Sequence, residues 1–138
     1  SVTGASSLID HEQWCKLAGM IWGMPSRTEV FSTLFCLFRN EQGIGKMEGA
    51  LDLISHLIKG SDEDKLYCLY RCFDNDKDQK LTNDEVVDLV MTLLPHRSDR
   101  TLEYPATVAF GDVLGVLEIE DRAQMIELLN FFRKSKIN

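Results

Sequence analysis

Residues 74–85 read Asp-Asn-Asp-Lys-Asp-Gln-Lys-Leu-Thr-Asn-Asp-Glu, and their oxygen donors recur at a spacing that suits a hard cation. Calcium takes six to eight oxygens at about 2.3–2.6 Å, and a twelve-residue loop supplies them from positions 1, 3, 5, 7, 9 and 12. Counted from Asp74, the carboxylates of Asp74, Asp76 and Asp78 fall on positions 1, 3 and 5. Lys80 offers its backbone carbonyl at 7, Thr82 takes 9 through a water, and Glu85 closes the set at 12, where a bidentate carboxylate belongs. Position 6 departs from the pattern. Glycine is usual there because the chain turns with positive φ, and a residue with a Cβ in that conformation costs on the order of 1 kcal/mol. This chain has Gln79, and Lys77 and Lys80 bring positive charge beside the ion. The donor count predicts one bound calcium; the competing reading is a loop that keeps its shape without the ion.

Such a loop works only if rigid elements hold its two ends. Leu66, Leu69, Tyr70 and Phe73 recur at helical spacing and stop immediately before Asp74, and Val86, Leu89, Val90 and Leu93 repeat the stripe after Glu85. Each stripe gives a helix one face to bury. Leu81, at position 8, is the apolar residue expected to pair through a short strand with a neighbouring unit.

The same ruler finds a weaker copy upstream. Phe31, Leu34, Phe35 and Phe38 have the offsets of Leu66, Leu69, Tyr70 and Phe73. A loop from Arg39 to Glu48 follows, with Ile44 as the expected strand residue; it is two residues short of the 74–85 loop and starts with Arg39 instead of an aspartate, so no calcium is expected there. A half unit precedes it. Ile9 is the expected strand residue, the would-be loop from Val2 to Ser7 holds no carboxylate, and Asp10 with Gln13 form a capping box for a helix carrying Trp14, Leu17, Ala18 and Ile21. Gly23 and Pro25 end that helix. A second helix follows Ser26, a third runs from about Glu48 to Ile58 with Gly60 after it, and Ser61 or Asp62 caps the helix leading to Asp74. The helix after Glu85 stops at Pro95. Beyond it, Pro95 to Ala106 read as a loop or short turn, too short for another complete unit. Thr107 to Phe110 supply the strand opposite Leu81, with Val108 facing it. Phe110, Val113, Leu114 and Leu117 suggest one helix, and Asp121 caps a last one bearing Met125, Ile126, Leu129 and Phe132. Arg133, Lys134 and Lys136 stand at its C-terminus, where the helix dipole favours positive charge.

The 138 residues can bury a core without staples, and the net charge of −7 argues against nucleic acid or an anionic membrane as the main partner. No signal peptide and no apolar run long enough to span a bilayer is evident. Cys15, Cys36, Cys68 and Cys72 show no metal-ligand pairing. Cys68 and Cys72, four apart on one helix and flanking its apolar stripe, do not readily close a disulfide. Reduced thiols in a cytoplasmic protein are the expectation. The chain starts at Ser1 with no initiator Met, as a piece of a longer protein would.

The run from Glu48 to Leu93 resembles the middle of the calcineurin-B-like and recoverin-like calcium sensors of the EF-hand superfamily. The residues that carry the resemblance are Leu57-Ile-Lys-Gly60, the charged link from Ser61 to Asp64, Lys65-Leu66, the aromatic-rich stretch from Tyr67 to Phe73, and the Asp-x-Asp-x-Asp loop. The resemblance is strong over about a third of the chain and loose over perhaps two thirds. It implies an all-α fold of helix–loop–helix pairs joined by short β pairing between loops, in two small lobes. Residues 1–60 would form a degenerate pair, and 61–138 a lobe with the intact loop and a degenerate partner. The short second loop and the missing helix before Val108 depart from the family and argue against several calcium ions or cooperative binding.

Two functions are expected to compete. In one, calcium draws on Glu85, changes an interhelical angle and opens an apolar groove for an amphipathic segment, from a partner protein or from the same chain. The groove walls would carry Trp14, Phe35 and Leu51 on one side and Leu89 and Phe132 on the other. Met20, Met24, Met47, Met91 and Met125 are available as adaptable lining, although methionine at helical spacing is more often core filling. In the other, degenerate hands make a calcium-independent scaffold or adaptor within a larger protein. An enzyme is not expected, except as a larger protein of which this segment is the regulatory part. His11, His56 and His96 stand in unrelated contexts, with no nucleophile, metal-ligand or phosphate-loop spacing around them.

Overall fold

The computed structural model describes residues 7–24, 29–94 and 102–136. Its elements run in the order β1 (Leu8–Asp10), α1 (His11–Trp22), α2 (Glu29–Phe35), β2 (Ile44–Lys46), α3 (Met47–Lys59), α4 (Asp62–Arg71), β3 (Lys80–Thr82), α5 (Asn83–Leu93), β4 (Thr107–Ala109), α6 (Val113–Val116) and α7 (Ile119–Arg133), with a 3₁₀ turn over Phe110–Asp112. The chain is mostly helical. Its two small sheets are antiparallel pairs, β1 with β2 and β3 with β4. Among the described residues no helix is long and apolar enough to cross a membrane.

Local chemistry sets the starts of three helices, α1, α4 and α5. Asp10 accepts from the Gln13 amide at 2.8 Å while the Gln13 side chain accepts from the Asp10 amide at 2.9 Å, so two donors that α1 would otherwise leave unpaired are satisfied together. Ser61 and Asp64 do the same for α4, and Thr82 and Glu85 for α5. At the C-terminus of α3, the buried Lys65 reaches back and donates from Nζ to the Gly60 carbonyl at 2.7 Å. A cation there meets both an unpaired acceptor and the negative end of the helix dipole.

One hydrophobic cluster joins residues from both halves of the chain, from Ile9 and Trp14 to Leu129 and Phe132. The apolar stripes foreseen for the helices flanking 74–85 are inside it: Leu66, Leu69, Tyr70, Val86, Leu89, Val90 and Leu93 are all buried, with Phe73 at the edge. Helix α7 closes the cluster by packing on α3 and α4. Its inward face is Met125, Leu129 and Phe132. Trp22 crosses the Phe132 ring edge-on at 5.2 Å between centroids and donates from Nε1 to the Phe132 carbonyl at 2.7 Å. Buried, tryptophan's indole N–H needs an acceptor, and the last turn of a helix has carbonyls to spare.

Several expectations need correction. The strand centre opposite Ile9 is Gly45, not Ile44. Helix α3 therefore starts at Met47, and Gly49, not Glu48, stands where Glu85 stands in α5. Measured to the strand centre, Arg39 to Gly45 is one residue shorter than Asp74 to Leu81. Helix α2 ends at Phe35; the chain continues to Phe38 through tighter bonds, such as Leu37 N–H to the Leu34 carbonyl at 3.1 Å. Asp121 does not cap α7. The N-cap is Glu118, and Asp121 lies fully buried in the first turn. Cys68 is core, and Leu51 points to solvent, 55% exposed, while α3 buries Ala50, Leu53, Ile54 and Leu57 instead. The foreseen facing of Leu81 and Val108 is present as a register pair. The Val2–Ser6 part of the first loop, Pro25, Ser26 and Pro95 fall outside the described residues.

Candidate functional site

The loop from Asp74 to Glu85 hangs between α4 and α5, and its two buried acids sit at its base. Asp74 is 5% exposed and Glu85 8%. One oxygen of Asp74, Oδ2, accepts from the Gln79 amide at 2.9 Å, folding the loop back over the aspartate. The other, Oδ1, is buried and has no hydrogen-bond partner. An unpaired buried carboxylate oxygen costs roughly 1–3 kcal/mol or more, so it calls for a cation or an ordered water.

Glu85 bridges the ends of the loop. Its Oε2 accepts from the Asn75 amide at 2.9 Å and its Oε1 from the Thr82 amide at 2.9 Å. Thr82 returns the contact through Oγ1, which accepts from the Glu85 amide at 3.2 Å. Each carboxylate oxygen keeps a second lone pair after one hydrogen bond.

The remaining positions face outward. Asp76 and Asp78 are exposed, and Asp78 Oδ1 accepts from the Lys80 amide at 3.1 Å. Lys80 is in β3 opposite Ala109. Backbone curvature comes from two left-handed residues, Lys77 with φ of 58° and Gln79 with φ of 67°. Gln79 thus occupies the conformation that glycine would hold without strain. The six named donors therefore share one loop, with Asp74 and Glu85 drawn together through its backbone and Asp76 and Asp78 left open. Among the described residues, no three or more His, Cys, Asp or Glu side chains gather round one point as a closed metal cage would require. The donor set is nonetheless all oxygen, and the bare Asp74 Oδ1 fits a hard cation such as calcium better than a soft one.

The upstream loop is closed by other means. Asn40 Oδ1 accepts from the Gln42 amide at 2.9 Å and the Ile44 amide at 3.0 Å, and Gly43 turns the chain with φ of 78°. A Cβ on Gly45 would lie 2.6 Å from the Phe38 ring, and one on Gly49 would lie 3.0 Å from the Phe38 Cβ. The Phe38 ring thus occupies the space over the strand and the first turn of α3, against Trp14 at 5.0 Å and Phe35 at 5.2 Å. Nothing in the spacing of side chains signalled this, because glycine contributes no side chain to a pattern.

Of the foreseen groove walls, Trp14, Phe35, Leu89 and Phe132 are buried in the common core. Only Met125 of the five methionines is buried; Met20 and Met24 are exposed. The chain matches no family model, and no curated relative matches it.

The thiols also hold a pairing that the sequence did not suggest. Cys36, in the turn after α2, and Cys72, at the C-terminus of α4, line one cleft and interact side chain to side chain. The Cys36 thiol is held down to about 7 by Cys72 first, against partial burial, with Arg39, Lys77 and Arg71 adding to it. Cys72, beside Cys36 and more deeply placed, is pushed well up.

Proposed function

We propose that the chain is a calcium-binding regulatory module of the EF-hand type, with a single competent loop at residues 74–85 and degenerate units around it. The observation that carries this reading is the buried, unpartnered Asp74 Oδ1 at the first ligand position of a loop whose backbone is already bent over it. Asp74, Asp76, Asp78, the Lys80 carbonyl, Thr82 and Glu85 would hold the ion, which supplies positive charge beside the unpartnered Asp74 Oδ1.

Glu85 is the link from the loop to the rest of the molecule. It lies in the first turn of α5, and α5 packs against α2 and β3. A pull on Glu85 is thus transmitted to the N-terminal half. Helix α7, seated on α3 and α4 and bonded to Trp22, is the intramolecular amphipathic segment that this reading assigns to the apolar groove. A partner helix with apolar anchors at i, i+3 or i+4, and i+7 would compete for the same place.

Thermal unfolding with calcium and with chelator tests the reading. A ligand that binds only the folded state stabilises it by about 2.7 kcal/mol at one hundred times its Kd. We expect calcium to raise Tm, and the rise to vanish in Glu85→Gln. Equal Tm values with calcium and chelator would overturn it.

One observation favours the calcium-independent scaffold instead. Both oxygens of Glu85 are already hydrogen-bonded to backbone amides, which holds the loop in shape by itself. Fluorescence separates the two readings, because Trp22 contacts α7 directly. A scaffold predicts emission that ignores micromolar calcium; a responsive module predicts a change.

A further inference from the structure

Cys36 and Cys72 are not among the calcium donors, although they border the same loop, and they come from elements far apart in the sequence. Cys36 is exposed, and Cys72 is half-buried behind it. Both open into a cleft of about 430 Å³ shared with Leu37, Arg71, Lys77 and, from the 74–85 loop, Asp74, Asn75 and Gln79. The other two thiols are placed differently. Cys68 is buried in the core, where the Arg71 guanidinium donates to its sulfur at 3.5 Å, and Cys15 lies beside His11 on α1.

We propose that Cys36 and Cys72 form a redox pair, in which hydrogen peroxide oxidises Cys36 and Cys72 then closes a disulfide across the ends of α2 and α4. The first step needs an accessible thiolate. Cys36 is exposed, and Cys72 beside it, followed by the charges of Arg39, Lys77 and Arg71, favours one. Its sulfur attacks one peroxide oxygen, the O–O bond breaks, and the second oxygen leaves as hydroxide and takes up a proton to become water. Cys36 is then a sulfenic acid. The Cys72 sulfur attacks the Cys36 sulfur; the S–S bond forms, the S–O bond breaks, and hydroxide leaves with the Cys72 proton as a second water. Across both steps two thiols lose two electrons in all, and the peroxide is reduced to two waters. A dithiol reductant reverses the bridge by thiol–disulfide exchange.

The geometry selects the pair. Cys72 has a nearer neighbour in sequence, Cys68, but the two share one helix, and the Cys72 thiol donates to the Cys68 backbone carbonyl at 3.3 Å. Closing that pair within a helix requires backbone movement. The Cys36 side chain already approaches Cys72 from another element. The bridge would tie together the turns that precede the two loops, at 36–38 and 72–74.

The test is oxidation of the reduced full chain with hydrogen peroxide, followed by alkylation, digestion and mass spectrometry. We expect two of the four thiols to be lost as one intramolecular Cys36–Cys72 cross-link, restored by dithiothreitol. A Cys15→Ser/Cys68→Ser variant should give the same cross-link. Cys72→Ser should stop at a Cys36 sulfenic acid trapped by dimedone, which a merely structural cysteine would not yield. Retention of all four thiols, oxidation of Cys36 to sulfinic acid with Cys72 still free, or cross-links between chains only would each overturn the proposal.

Discussion

Between Phe35 and Met47, and again between Arg71 and Asn83, the chain leaves a helix through tight turns, loops, makes a three-residue strand and starts another helix. In the upstream region Asn40 satisfies two loop amides and the Phe38 ring fills the space over Gly45 and Gly49. In the downstream region Leu81 supplies its own side chain to the core, a capping box starts the helix, and one oxygen of Asp74 is left without a partner. The comparison teaches that this frame does not depend on carboxylates. An aromatic ring and an asparagine hold it in one place; acids, one of them with an unpaired oxygen, hold it in the other.

The largest expected effect comes from removing the ring. Phe38→Ala should cost about 3 kcal/mol, the low end for core phenylalanines because Phe38 is half-buried. Gly45→Val should by itself cost about 1–3 kcal/mol by overpacking against that ring. The two changes together should cost less than their sum, since the valine enters the space that the ring left. Denaturant unfolding of the four proteins measures this, and strict additivity would mean that Phe38 does not stand in for a strand side chain.

Capping gives a smaller and opposite pair of effects. The N-cap of α5 has its side-chain bond, whereas Lys46, the N-cap of α3, has none despite suitable extended backbone. Thr82→Ala should lower stability by about 1 kcal/mol and Lys46→Ser should raise it by about 0.5–1 kcal/mol, read from denaturant midpoints. Equal responses at the two positions would erase the distinction between the regions.

The smallest effect is at Gln79. Glycine would relieve about 1 kcal/mol of left-handed strain but lose part of that through its freer unfolded chain, leaving a gain of roughly 0.5 kcal/mol. A loss of stability in Gln79→Gly would show that the glutamine sits there without strain.

Much of this frame was legible in the sequence, and the failures have physical causes. The Asp10–Gln13 box, the apolar stripes around 74–85 and the facing of Leu81 with Val108 rest on side chains that announce themselves by type and spacing. The upstream register was misread because Ile44 looked like the strand residue, while the true centre is a glycine whose space a distant ring occupies. Asp121 looked like a cap because aspartate favours that position; the helix instead starts earlier, at Ile119, and buries the acid. Leu51, expected in a groove wall, is exposed, while α3 turns Ala50, Leu53, Ile54 and Leu57 inward. The candidate loop itself was legible from donor spacing alone. The bare Asp74 oxygen and the Cys36–Cys72 contact required the fold, since each depends on groups that spacing does not bring together.

Calorimetric titration of the reduced chain with calcium tests the central claim most directly, because it counts sites. The account predicts a stoichiometry near one, with the heat abolished in Glu85→Gln through loss of the bidentate ligand. No heat, a stoichiometry of two, or binding that survives Glu85→Gln would contradict it.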